Sequence, residues 1–304
     1  MEIPAELART QDRAFIAALP ARAAHFLKRW GLRRTGSAMH GMCALVLPVE
    51  RVDGTPAVLK LQNLDAETAG EPVALRVWDG DGAVRLLEYE EESGTLLLER
   101  LDPARDLSLV PVGDGVAVIA GLLARLTAVP APAGLRRLGE IAGAMLDEAP
   151  VSARALADGA ERRLLLGCAG AVREVVGEPG DRLLHWDLHF ENVLAPVPVA
   201  GCEGREPWLA IDPKPLAGDP GFELLPAIVN RFDEGGGAGG FAGGSAGDIL
   251  WRFDLMTEVM GLDRGRARAW TLGRVLQNCL WDLREGKRAL SPTQTAVGRA
   301  LLAR

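Results

Sequence analysis

A chain of 304 residues with 48% hydrophobic and 25% charged side chains has the balance of a globular protein, long enough for one large domain or two lobes. No apolar run reaches the roughly 18 to 20 residues that span a bilayer, and Met1 to Thr10 lacks the basic and apolar stretches of a secretory signal. A cytoplasmic protein with no membrane partner is therefore expected. The formal charge of −7, without a basic stripe, argues against a nucleic-acid partner and is compatible with a cationic ligand.

Apolar residues at near-helical spacing from Phe15 to Trp30 predict an opening helix. Strands are expected at Met42–Val49 and Ala57–Leu61, joined by an Asp53-Gly54 turn. A helix follows over Asp65–Trp78, where Pro72 fits only in a first turn. Two more strands, Ala83–Tyr89 and Thr95–Arg100, flank the turn Glu91-Glu92-Ser93-Gly94. Beyond Leu101 the pattern becomes helical, at Val116–Leu126, Leu138–Glu148, Arg162–Val176, Asp248–Met260 and Gly265–Glu285. The stretch Glu234–Gly247 is glycine-rich and predicts a flexible loop. Cys43, Cys168, Cys202 and Cys279 form no C-x-x-C pair, so buried or free thiols are expected rather than a zinc knuckle.

The segment His185-Trp186-Asp187-Leu188-His189-Phe190-Glu191-Asn192 fits H-x-D-x-x-x-x-N. In a kinase catalytic loop that spacing serves phosphoryl transfer: the Asp orients and deprotonates the acceptor hydroxyl, and the Asn binds Mg²⁺. Asp212 ends an apolar run, Trp208 to Ile211, at a distance that suits a hairpin bringing Asn192 and Asp212 to one metal. Lys214, two residues on, reads as a solvent-facing lysine.

With these motifs the chain resembles the aminoglycoside phosphotransferase family, closest to its streptomycin 6-phosphotransferase and hydroxyurea phosphotransferase branch. The likeness runs through Arg29-Trp30, Leu59-Lys60-Leu61, Leu96 to Leu101, Leu184 to His189, Gly218 to Glu223 and Gln277 to Asp282. It implies an α+β, bilobal protein-kinase-like fold, with a small antiparallel β lobe over residues 1–101 and a larger helical lobe over 102–304. ATP would sit between the lobes. Lys60 would hold the α/β-phosphates, steadied by Glu71, with Glu67 as the competing partner. Gly36 to Gly41 would cover the phosphates, and backbone groups from Glu99 to Leu101 would bind adenine. Asp187 would be the base, with Asn192 and Asp212 as Mg²⁺ ligands. The substrate implied is a cationic aminoglycoside, most directly the 6-hydroxyl of streptomycin, phosphorylated by a monomer to give resistance. Glu223, Glu258, Asp282 and Glu285 are the carboxylates expected to line its pocket, with Trp281-Asp282 placed to receive a guanidinium.

Other readings stay open. The same chemistry would serve hydroxyurea, another aminoglycoside or a metabolite such as choline. His185, Asp187 and His189 alternate, so on one strand face they would bind a transition metal for hydrolysis. A non-catalytic drug-binding protein on the same scaffold would have lost Asp187 or a metal ligand, and all are present. The phosphate loop is not G-x-G-x-x-G, and Ile211-Asp212-Pro213 stands where protein kinases carry D-F-G. Protein substrates are thereby disfavoured.

Overall fold

The computed structural model describes residues 3–198, 206–235 and 240–304. The chain forms two compact units, Met1–Ala104 with Leu194–Leu209, and Arg105–Val193 with Ala210–Arg304. A single cut near residue 101 does not capture the return of Leu194–Leu209 to the first unit. Among the described residues no helix is long and apolar enough to cross a membrane.

The first unit opens with α1 (Ala5–Thr10) and α2 (Arg13–Arg29). Asp12 caps α2, its Oδ1 accepting from the amides of Ala14 and Phe15 at 2.7 and 3.3 Å. Then come β1 (Arg33–Arg34), β2 (Met39–His40), β3 (Ala44–Glu50), β4 (Pro56–Gln62), α3 (Glu71–Trp78), β5 (Leu86–Glu90), β6 (Thr95–Glu99) and β7 (Leu101–Asp106). The sheet runs β1-β3-β4-β6-β5, antiparallel throughout, with β2 added on β3. Alternation explains its two faces. Leu45, Leu47 and Val49 of β3 and Ala57, Leu59 and Leu61 of β4 join Phe15, Leu19, Ala23 and Phe26 of α2 in one buried cluster. Lys60, between Leu59 and Leu61, must therefore point to the opposite face.

The helix expected from Asp65 begins only at Glu71. Pro72 tolerates the first helical turn alone, and Asp65 captures the preceding backbone instead, its Oδ1 accepting from Glu67 and Thr68 amides at 2.8 and 2.9 Å.

The second unit holds α4 (Val112–Leu126), β8 (Arg136–Arg137), α5 (Leu138–Ala155), α6 (Gly159–Val175), β9 (Arg182–Leu184), β10 (Val193–Pro196), β11 (Leu209–Ala210), β12 (Leu216–Gly218), α7 (Leu224–Val229), α8 (Ala246–Val259), α9 (Arg264–Arg284) and α10 (Pro292–Leu302), with β10 and β11 running into the first unit's excursion. Helix α5 continues past Pro150, where the sequence predicts a stop, because its later turns bury Ala149 and Ala153. Of the glycine-rich stretch, residues 236–239 lie outside the described residues, as does Cys202. Cys168 and Cys279 are buried thiols, and Cys43 is half-buried.

Helix α9 is the unit's spine. It buries residues on nearly every face and packs on α6, α5, α10 and the short 3₁₀ turn Pro220–Glu223. Trp270 of α9 is fully buried, edge-on to Phe222 in that turn at 6.1 Å between centroids. The approach needs Gly221, since a Cβ there would stand 2.7 Å from the Ala267 Cα, a backbone atom with no room to yield. Gly221→Ala is expected to lower stability by about 1–3 kcal/mol, the usual cost of overpacking. A urea midpoint unchanged from the parent would refute this account of the α9 contact.

Candidate active site

In the first unit, strand alternation brings Lys60 to α3. Its Nζ donates to both Glu71 oxygens, at 2.7 and 2.8 Å, and Gln62 Nε2 donates to Glu71 Oε2 at 2.8 Å. Lys60 and Glu71 are 6% and 1% exposed, so the pair is a buried, hydrogen-bonded ion pair rather than a surface contact. Glu67 lies in the turn before α3, its amide bonded to Asp65 Oδ1 at 2.8 Å. The sequence alone left that choice open.

The segment expected to cover the phosphates, Gly36 to Gly41, contains β2 (Met39–His40). Gly36 lies before β2, where a Cβ would press on Pro48 at 3.3 Å, and it is not in a hairpin turn. The turn follows β2, closed by the Gly41 amide on the Ala44 carbonyl at 3.0 Å, with Met42 74% exposed at its tip. A Cβ on Gly41 would meet nothing within 4 Å, so space is not what requires glycine there. At the expected adenine segment, the Glu99 amide is committed to the Arg85 carbonyl at 3.0 Å, and the Glu99 side chain accepts from the Arg85 amide at 2.8 Å. Leu101 begins β7 with its side chain buried.

In the second unit, β9 delivers the chain to His185 while pairing antiparallel with β12, Leu184 opposite Leu216. The backbone then turns sharply at Trp186, φ +69°, a region costing a bulky residue about 1–3 kcal/mol. Several contacts hold it there. The Trp186 amide donates to both Glu223 oxygens at 2.9 Å, and its ring lies between the guanidinium groups of Arg136 and Arg274, 4.4 and 4.5 Å from the centroid. Trp281 meets the same ring edge-on at 5.9 Å.

His185 is fully buried; its Nε2 bonds the Ile211 carbonyl at 3.0 Å and its Nδ1 faces the Asp187 amide at 3.4 Å. Burial pushes its pKa down to about 4. With both ring nitrogens engaged on backbone, it is a structural brace, and the metal-hydrolase reading loses a ligand.

The turn presents Asp187, whose Oδ2 accepts from Lys214 Nζ at 2.6 Å. Lys214 is thus a partner of the expected base and not a solvent-facing residue; its own amide is tied to the His185 carbonyl at 3.0 Å. Asn192 spends its amide group on the Asp187 carbonyl at 2.9 Å, which turns its side-chain oxygen elsewhere. The Ile211 amide donates to the Asn192 carbonyl at 2.9 Å, setting Asp212 one residue away across that bond, at φ +56°. Two hard oxygen donors of this kind fit Mg²⁺, which takes one or two protein ligands and fills the rest with phosphate and water.

Beside Asp187 is a cavity of about 380 Å³ lined by Asp187, His189, Glu191, Asn230, Arg274 and Asn278, with an apolar wall from α7. None of the four expected substrate carboxylates lines it. Glu223 is fully buried beneath Trp186, Glu258 is exposed on α8, Glu285 ends α9 in solvent, and Asp282 is held by Lys287 at 2.6 Å. A guanidinium does lie on Trp281, but it is the chain's own Arg274, at 5.4 Å. The carboxylate that lines it beside Asp187 is Glu191, a variable position inside the H-x-D-x-x-x-x-N motif.

Residues 29–286 match the family described as aminoglycoside/hydroxyurea antibiotic resistance kinase. The chain belongs to that family. It is 60% identical to a hydroxyurea phosphotransferase of Kitasatospora aureofaciens, covering all of this chain and 87% of the relative. It is 53% identical to a streptomycin 6-kinase of Streptomyces glaucescens, with 99% and 97% covered. The crystal structure of aminoglycoside phosphotransferase APH(4)-Ia superposes with a TM-score of 0.59 at 14% identity, covering 94% of this chain and 98% of that one. At that identity the likeness speaks for the fold, which is α+β and kinase-like. Kinases of this family are phosphotransferases, and so is this chain.

Two expectations follow for the site. Removing one partner of the buried Lys60–Glu71 pair should cost about 3–5 kcal/mol, and replacing both by apolar residues much less. Denaturation of Glu71→Leu, Lys60→Met and the double variant tests this, and additive losses would count against a coupled pair. The second concerns pH. Burial pushes the Glu223 carboxyl from 4.5 up to about 7, against bonds from the Trp186 and His185 amides. In that window the folded chain keeps a proton the unfolded chain has released, so the Glu223 contribution falls as pH rises. His185 acts oppositely: from 6.5 down to about 4 the unfolded chain takes up a proton the folded chain refuses, so stability falls with acidification. Glu223→Gln removes the first effect and should steepen the loss of stability from pH 6.5 to 4.5. Parallel urea-midpoint profiles for variant and parent would contradict the assignment.

Proposed function

We propose that the protein transfers the γ-phosphate of ATP to a hydroxyl of an aminoglycoside, the 6-hydroxyl of streptomycin foremost, and so confers resistance. The observation that carries this reading is the placement of Asp187, on a strained turn and facing a cavity of about 380 Å³ in a member of this kinase family. Pockets for drug-sized ligands run from roughly 300 to 1,000 Å³. An acceptor the size of hydroxyurea, a handful of atoms, would leave most of that space unfilled.

In this reading Asp187 accepts the proton of the acceptor hydroxyl, which must come within about 2.6–3.2 Å of its carboxylate. Lys214 fixes Oδ2 and leaves Oδ1 for that proton. Asn192 and Asp212 hold Mg²⁺, and Lys60, steadied by Glu71, holds phosphate. When bound, the metal neutralises charge on the phosphate oxygens. Nucleotide use is supported by a thermostable mutant of APH(4)-Ia that forms a ternary complex with ADP and hygromycin B. Residues 1–101 then serve as the nucleotide-binding part and 102–304 as the part holding catalytic loop and acceptor. The protein acts as a cytoplasmic monomer, where ATP is supplied, with no nucleic acid or membrane partner.

A second reading, phosphorylation of hydroxyurea, is favoured by the higher identity to the hydroxyurea phosphotransferase. An ADP-release assay with Mg-ATP separates the two. Turnover of streptomycin is expected, and Asp187→Ala should lower kcat by about 10²-fold or more while still binding ATP. Turnover of hydroxyurea alone would replace the first reading by the second. Activity retained in Asp187→Ala would remove Asp187 as the base.

A further inference from the structure

The acceptor cavity is lined by two carboxylates, Asp187 and Glu191, and they are held differently. Asp187 Oδ2 is engaged by Lys214, and the residue is assigned to the chemistry. Among the described residues, no Lys or Arg pairs with Glu191. Its Oε2 accepts from His189 Nδ1 at 2.7 Å and from Asn230 Nδ2 at 3.0 Å, so two neighbours from the loop and from the end of α7 fix the plane of the carboxylate. The side chain remains 55% exposed. The group is therefore oriented, with Oε1 left for a ligand.

The rest of the lining agrees with a cation-bearing sugar rather than a simple salt. Leu225, Pro226 and Val229 offer an apolar wall suited to the carbon face of a ring, and Asn278 offers a neutral amide for hydroxyls. Arg274 is the cationic member, but its guanidinium is turned onto Trp186 and Gln277, its Nη1 donating to Gln277 Oε1 at 2.5 Å. It does not pair with Glu191 in any described contact.

Resting on the aminoglycoside reading above, we infer that Glu191 selects the acceptor: Oε1 receives an N–H of the acceptor's guanidinium group, seating the neighbouring hydroxyl toward Asp187. A carboxylate held at one oxygen by His189 and Asn230 is preorganised for a charge-assisted bond at the other. Sequence position supports the geometry, since Glu191 and Asp187 belong to one rigid loop, and a ligand held by the first is registered on the second.

The test compares streptomycin with a ureido analogue in which the guanidinium groups are neutral, in the parent and in Glu191→Gln. The parent should show a KM for streptomycin roughly 10- to 100-fold below that of the variant, the worth of one charge-assisted hydrogen bond, with the change in kcat smaller. The parent should also discriminate strongly between guanidinium and ureido acceptors, and the variant weakly. Equal discrimination by both proteins would overturn the inference while leaving the aminoglycoside reading in place. Absence of any streptomycin turnover by the parent would overturn both. Should the variant fold poorly, the ionic-strength dependence of the parent's KM serves instead: a steeper rise with salt for streptomycin than for the analogue is expected, and parallel behaviour refutes the assignment.

Discussion

The bond from the Trp186 amide to the buried Glu223 carboxylate holds the whole catalytic segment in place. A tryptophan at φ +69° does not stay there unaided, and the cost of about 1–3 kcal/mol has to be met by contacts that exist only in the folded chain. Glu223 supplies two acceptors to one amide, and Arg136, Arg274 and Trp281 enclose the indole ring. The consequence is directional. With residue 186 in the left-handed region, residue 187 leaves the strand line of β9 and its carboxylate is carried to the cavity instead of into the sheet. Helix α9 contributes Arg274 and Trp281 to this clamp and also backs the 3₁₀ turn that carries Glu223. The spine of the unit and the geometry of the loop are thus one construction.

The acidic groups of this region illustrate how surroundings assign roles to identical chemistry. Glu223 is sealed from water, its pKa raised, and it serves as an acceptor for backbone. Asp187 is partly exposed and carries a lysine on one oxygen. Glu191 is half in solvent, fixed by Asn230 and His189, and held low in pKa. Composition lists three carboxylates; burial and partners make them three different groups. The Lys60–Glu71 pair in the first unit follows the same logic, because a lysine buried at 6% exposure is tolerated only with its charge met at two oxygens.

Much of this was legible along the chain. The H-x-D-x-x-x-x-N spacing and the acid after an apolar run identified Asp187, Asn192 and Asp212 as candidates, because a catalytic loop is local and its residues keep their order. The strand alternation around Leu59-Lys60-Leu61 announced that Lys60 would leave the hydrophobic face. Errors concentrated where distant contacts decide. Helix α3 begins late because Asp65 caps a competing turn, and α5 runs through Pro150 because burial of its last turns outweighs the missing hydrogen bond. Glu223, Glu258, Asp282 and Glu285, the carboxylates expected to meet substrate, do not line the cavity beside Asp187, whose acids, Asp187 and Glu191, both come from the loop.

Sequence by itself determined the reaction class, the family and the identity of the loop residues, since these depend on residue types at short, fixed spacings. Only the tertiary structure decided that Glu71 meets Lys60, that Lys214 rests on Asp187, that Glu223 holds the Trp186 amide, and that Glu191 faces the cavity beside Asp187. Each of those outcomes turns on which face of an element is buried and what lies across from it. Packing between segments far apart in the chain sets that, and no local pattern encodes it.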